Sequence, residues 1–331
     1  MKMTNKKFHI TLVLSVLSIF FFSFSSRSQN FSSVSNSIYS IPRLSPLQES
    51  DFSKKSPATN VSVSTPFDEQ LRKIMEKDED AQAEADKWIL EYRDLNRTNA
   101  VEDATLPVRI LDLFSSVQIA YEEYLFSHGD SLEGQLAYAS FLADIGKEND
   151  AVTVWLAQAK KYPENPVLWN NIANHYAQAE YPEKSFDYYE KAIQLAPMEP
   201  LYLSNLATVV YVFRDESMKH YQLSEQQVLR FAQSLYRKAY FLKKNFVLAT
   251  QIAQTWYFIE PFRYDMAMTD WKKAYLLASD DAEREGVLLH FARVNVIARK
   301  FTEAEGYLEN VKYPAHQQVV TELREEISRK K

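Results

Sequence analysis

Residues 166–197 read PVLWNNIANHYAQAEYPEKSFDYYEKAIQLAP. Trp169, Ile172, Ala173 and Tyr176 recur at helical spacing, and Ser185, Tyr189 and Ala192 do so again after a break, so the stretch predicts two helices bounded by Pro166 and Pro197. Two antiparallel helices approach closely only where small residues meet, while large aromatics fill the space between one hairpin and the next. The register repeats along the chain. One interval separates Pro163 from Pro197, Ala139 from Ala173, Ala151 from Ser185 and Trp155 from Tyr189, and the same interval carries Trp169 to Leu203 and Ala173 to Ala207. A period of this length, about 34 residues, signals a stacked array of helix pairs.

This unit resembles the tetratricopeptide repeat family. Trp169, Ile172, Ala173 and Tyr176 match the first-helix pattern W-x2-L-G-x2-Y with conservative departures, and Ser185, Tyr189, Ala192 and Pro197 match the second helix and its end. The resemblance implies an all-α fold: a right-handed superhelical solenoid of antiparallel helix pairs, with about five to six repeats.

The preceding unit, Leu132 to Pro163, carries Tyr138, Ala139 and Leu142, then Gly146 at the turn, then Ala151 and Trp155. A third opens at Pro200 with Leu203, Leu206 and Ala207, but its second helix comes later than the period requires, at Ala232, Tyr236 and Ala239. Residues 214–226 therefore form an insertion or an elongated hairpin. The fourth unit has Ile252, Ala253 and Trp256, then Ala267, Trp271 and Ala274; the fifth has Phe291, Ala292, Ala304 and Leu308, with Pro314 after it. The array spans 131–314, and 315–331 reads as a charged capping helix, which the last hairpin needs because it has no following neighbour. Upstream, 67–130 holds flanking helices: an amphipathic helix from Phe67 to Leu95, interrupted near its acidic middle, and a second from Val108 to Phe126 that could complete a degenerate first repeat with the Trp88 region.

The amino terminus has a different character. Lys2, Lys6 and Lys7 precede an uncharged apolar stretch from Phe8 to Phe24, so 1–28 reads as a secretory signal peptide; left uncleaved, it would tether the protein to the inner membrane. Ser23 to Ser64 contains 15 serines in 42 residues and no sustained periodicity, which makes 29–66 a disordered tether. The expected location is the periplasm or cell envelope of a bacterium.

Composition excludes whole chemistries. Five glycines, none spaced G-x-G, cannot build a dinucleotide fingerprint or a phosphate-binding loop, and with no cysteine there is no thiolate nucleophile or thiolate metal site. The net charge is −6, and removing the four bases of residues 1–28 leaves 34 bases against 44 acids, or −10. That balance disfavours nucleic acid. His9, His128, His175, His220, His290 and His316 show no metal-ligand spacing, and adjacent carboxylates such as Glu122 and Glu123 diverge on a helix. No catalytic residue, metal or cofactor is expected, and the protein reads as a binder, not an enzyme. Trp155, Trp169, Trp256 and Trp271 fall in or beside packing slots and are assigned to the core.

In the resembled family the first helices line a concave groove. The matching positions are Asn170 and Asn174; Ser204, Thr208 and Tyr211; Thr250, Gln254 and Tyr257; and Arg293. Amides and hydroxyls can hold an extended peptide backbone, so the expected partner is a protein or peptide segment. Arg293 alone does not make the basic clamp that some family members use on a terminal carboxylate. A second reading takes the protein as a glycan-binding or glycan-handling accessory of the envelope, with Tyr211 and Tyr257 as stacking platforms. Asn171 and Asn205 match a residue common in the family, which implies a structural role for them.

Overall fold

The computed structural model describes residues 68–97, 105–179 and 181–331, the last five of the first stretch by backbone only. The expected signal peptide, 1–28, and tether, 29–66, lie outside these residues. Contacts divide the chain into two units, one ending at Lys147 and one beginning at Glu148.

In the first unit, α1 (Glu69–Arg97) pairs with α2 (Leu106–Ser127), and α3 (Leu132–Asp144) packs on both. The helix expected to break at its acidic middle runs unbroken. Leu71, Ile74, Ala81 and Ala85 bury one stripe of α1, Glu76, Glu79 and Asp80 lie on the exposed side, and the half-buried Asp78 is taken up by a hydrogen bond from α2, so the acids do not break the helix. Tyr121 and Tyr124 of α2 are buried, and their hydroxyls donate to Asp78 (3.1 Å) and Asp68 (2.8 Å). The guanidinium of Arg109 on α2 lies 4.2 Å over the Trp88 ring of α1. Gly134 is required by a close approach: a Cβ there would lie 2.6 Å from the Tyr124 ring. Gly146 follows the end of α3 at φ 80°, a backbone state that glycine adopts without steric cost.

The second unit begins with α4 (Glu148–Lys161), which packs on α5 (Pro166–Gln178). Helix α5 forms a hairpin with α6 (Pro182–Leu195), and α7 (Pro200–Val212) pairs with α9 (Glu225–Leu242). Two further hairpins follow, α10 (Phe246–Thr255) with α11 (Tyr264–Leu277) and α12 (Asp281–Ile297) with α13 (Phe301–Leu308); α14 (Gln317–Lys330) closes the array. The starts repeat with the period. Asn165 and Glu199, one period apart, each accept the backbone N–H two residues on, and each precedes a proline whose missing N–H costs nothing at a helix start.

Packing follows the residues that set the period. Ala151, Ser185, Ala232, Ala267 and Ala304 are fully buried, and four residues after each stands Trp155, Tyr189, Tyr236, Trp271 or Leu308, all at most 5% exposed. Burying a side chain of this size contributes about 2–3 kcal/mol, so the large member of each pair supplies the energy and the small one permits the approach. Among the described residues there is no strand, and the all-α array of antiparallel helix pairs is the fold.

The late second helix of the third repeat is explained by a separate short helix, α8 (Arg214–Tyr221), which ends on Gln222 at φ 53°. Ser217 is buried, and the Tyr221 ring stands edge-on to Phe186 of α6 (5.4 Å) and Phe231 of α9 (5.1 Å). At the far end, Val320, Leu323 and Ile327 of α14 cover Leu289, Ala292, Val296 and Leu308. The backbone N–H groups of Lys312 and Tyr313 donate to Glu285 on α12, fastening the turn that leads into this cap.

Candidate functional site

The first helices α5, α7, α10 and α12 carry eight of the nine positions expected to face a ligand, Tyr257 lying instead in the turn just past α10, and the structure treats them unequally. Asn170 is 3% exposed and Asn174 half-buried. Both are engaged: the Asn205 amide donates to Asn170 Oδ1 (3.0 Å) and Asn174 Oδ1 (3.3 Å), and the Tyr189 hydroxyl donates to Asn174 Oδ1 (2.7 Å). Asn205, assigned a structural role, thus takes two of the expected ligand residues with it. The triad binds α5 to α7 between consecutive repeats, and that use corrects the assignment of Asn170 to a ligand surface.

Ser204, Thr208, Thr250 and Gln254 are half-buried. The hydroxyls of Ser204, Thr208 and Thr250 donate to carbonyls of their own helices, leaving their oxygens able to accept. Thr208 also meets the Tyr236 hydroxyl at 2.9 Å.

Tyr211 is buried and Tyr257 half-buried. Tyr211 is 7% exposed, its ring edge-on to Phe258 at 6.0 Å, and its hydroxyl is buried without a hydrogen-bond partner, so burial pushes its pKa up. The Tyr257 ring tilts against Trp271 at 6.2 Å, and its hydroxyl meets His290 Nδ1 at 3.0 Å. A sugar-stacking platform needs a free ring face, which the buried Tyr211 does not offer. The stacking role expected of Tyr211 is corrected on this ground.

His290 lies flat on Trp271, ring centroids 3.9 Å apart and planes within 8°. Burial holds it neutral, with Arg293 and His316 adding to the effect, and its pKa is pushed down to about 3. Arg293, half-buried on the same helix, brings its charge close to both His290 and Tyr257. Tyr257, His290 and Arg293 therefore form one polar and aromatic cluster between α10 and α12.

Sequence reasoning missed a second row on the same helices. Val167, Leu201 and Val247 stand six residues before Ala173, Ala207 and Ala253, and are 39%, 54% and 42% exposed. The signal was present, since Val167 and Leu201 are themselves one period apart; only the exposure was not. Positions six and three before the small residue, and one and four after it, share one stripe of a helix. Each stripe thus passes from an exposed aliphatic at the first turn to hydroxyls or amides; it ends at Ala177 in α5 and at the buried Tyr211 in α7, while Tyr257 stands just past the end of α10. Such a surface can bind through apolar contact and hydrogen bonds. Among the described residues no group of three or more His, Asp or Glu side chains is placed to hold a metal ion, and no helix is long and apolar enough to cross a membrane.

No protein-family model matches the sequence, and the search of curated proteins gives no match. Solved structures resemble the chain in fold. The crystal structure of YrrB, a TPR protein with an unusual peptide-binding site, is 11% identical, with 62% of this chain and 98% of that one covered and a TM-score of 0.48. The human IFIT1 dimer with m7Gppp-AAAA is 15% identical over 65% of this chain and 50% of that one, TM-score 0.47. TTC0263, a thermophilic TPR protein of Thermus thermophilus, is 14% identical over 57% and 94%, TM-score 0.41. At these identities and scores the likeness says nothing of ligands. The regular period, the buried small residues and the pairing of α5 with α6, seen in the chain itself, make its repeats tetratricopeptide-like in fold.

Proposed function

We propose that the protein is an exported, non-catalytic interaction scaffold whose first helices hold an extended segment of a partner protein, within a cell-envelope assembly. The row Val167, Leu201 and Val247 carries this reading. Each buried Å² of aliphatic surface is worth about 25 cal/mol, and three exposed aliphatics at one repeat position favour a ligand that runs along the array. Beside them Ser204, Thr208 and Thr250 can accept from backbone N–H groups, and Gln254 can donate and accept. Export rests on the basic and apolar pattern of residues 1–28.

Crosslinking in intact cell envelopes, followed by mass spectrometry, tests the reading with the triple variant Val167→Asp, Leu201→Asp and Val247→Asp. The expected result is at least a tenfold loss of the crosslinked partner, with the circular dichroism spectrum of the purified variant unchanged. Equal partner recovery from the wild type and a folded variant would overturn it.

A further inference from the structure

Residues 237–244 read RKAYFLKK, four cations in eight residues with no acid, inside a chain whose net charge is −6. The end of α9 brings this run against α11, where Lys273 stands beside Asp270. Between them is a cavity of about 180 Å³, lined by Arg237, Lys244, Lys273, Asp270, Tyr240 and Ile252.

Asp270 is 2% exposed and both its oxygens are engaged. Oδ2 accepts from Arg237 (2.5 Å) and from the Trp256 indole (2.8 Å), and Oδ1 accepts from Lys273 (3.0 Å). Burial alone would raise the carboxyl's pKa; the Trp256 hydrogen bond and the two cations outweigh it and hold the pKa below its ordinary value. The carboxylate thus anchors two cations at the cavity wall. Arg237 and Lys273 keep further N–H donors, and Lys244 is exposed. Among the described residues, Lys238, Lys243, Lys244 and Lys272 form no ion pair. Three cations against one carboxylate leave two positive charges at the cavity, and its remaining wall is apolar and aromatic.

We propose that this cavity is a binding site for a phosphate monoester on a small apolar body: the dianion matches the two surplus charges, and Tyr240 and Ile252 receive the body. The site lies where α9 and α11 meet α10, its lining does not include Val167, Leu201 or Val247, and its occupancy does not depend on the scaffold reading. A soluble phosphomonoester and a phosphatidic acid headgroup share this chemistry.

The test titrates the purified full chain with phenyl phosphate at constant ionic strength by isothermal calorimetry, beside inorganic phosphate and phenol. Saturable phenyl phosphate binding, several-fold tighter than inorganic phosphate, is expected, with no heat from phenol. Lys244→Gln, whose residue is exposed and outside any ion pair, should weaken it about threefold, and Lys244→Gln with Lys273→Gln at least tenfold, each variant keeping the wild-type circular dichroism spectrum. Sedimentation with phosphatidylcholine vesicles containing phosphatidic acid separates the sources. Retention that is lost in the double variant assigns the site to a lipid, whereas saturable phenyl phosphate binding without retention assigns it to a soluble ligand. Unsaturable titration with no variant-sensitive vesicle retention, or equal affinity in wild type and folded Lys244→Gln, would overturn the proposal.

Discussion

A neutral histidine laid flat on an indole, as His290 is on Trp271, makes stability depend on pH in a definite sense. Its folded pKa of about 3 lies below the unfolded value near 6.5, so the unfolded chain takes up the proton first as pH falls. The stabilising contribution is therefore complete above about pH 6.5 and is lost progressively as pH falls from there towards 3. Between the two values the loss is about 1.4 kcal/mol per pH unit. Urea unfolding at pH 7 and pH 5 should show His290→Phe, which preserves the stacking, losing about 1–2 kcal/mol less than the wild type between the two. Identical losses would remove His290 as the source. The sequence offered His290 only as a helix residue before Phe291, because the ring's surroundings come from Tyr257 and Trp271 in the neighbouring hairpin.

At the scale of the element, the amide triad joins α5 to α7. Asn205→Ala removes the donor shared by Asn170 and Asn174 and leaves two part-buried acceptors with less satisfaction, a loss of about 1–2 kcal/mol. The denaturation midpoint should fall accordingly, and Asn171→Ala, a residue for which the triad has no use, serves as the comparison. An effect no larger than that of Asn171→Ala would separate the triad from stability. Helix pairing was legible because Ala173 has Ala139 and Ala207 one period away and Ser185 has Ala151, and burial follows the same period. The ligand-facing assignment of Asn170 and Tyr211 failed for another reason. A stripe on a first helix fixes direction relative to its own hairpin, but the next hairpin decides how much of that stripe it covers, and α8 and the 256–263 connection are not repeats of anything upstream.

At the scale of the molecule, an array whose repeats touch only their neighbours loses stability from its ends. Removing residues 312–331 would uncover Leu289, Val296 and Leu308, which α14 buries. Hydrogen exchange should then accelerate first in α12 and α13, with amides of α5 and α6 retaining their protection. Uniform acceleration through all these helices would point to one cooperative unit. The basic cavity is likewise a property of the molecule: its run at 237–244 is visible in the sequence, but its partner carboxylate comes from a later helix and the acidic total conceals it.

Repeats that meet through the same small and large residues are interchangeable parts, and a chain built from them can gain or lose one by duplication or deletion. The junction around α8 forbids that exchange. Tyr221 reaches Phe186 in one hairpin and Phe231 in the next, so the two must stay adjacent and in order. A repeat inserted between them would strand both aromatic faces in water, whereas one inserted elsewhere would meet the common contact. The short helix therefore acts as a keyed joint, fixing the order of the hairpins on either side of it.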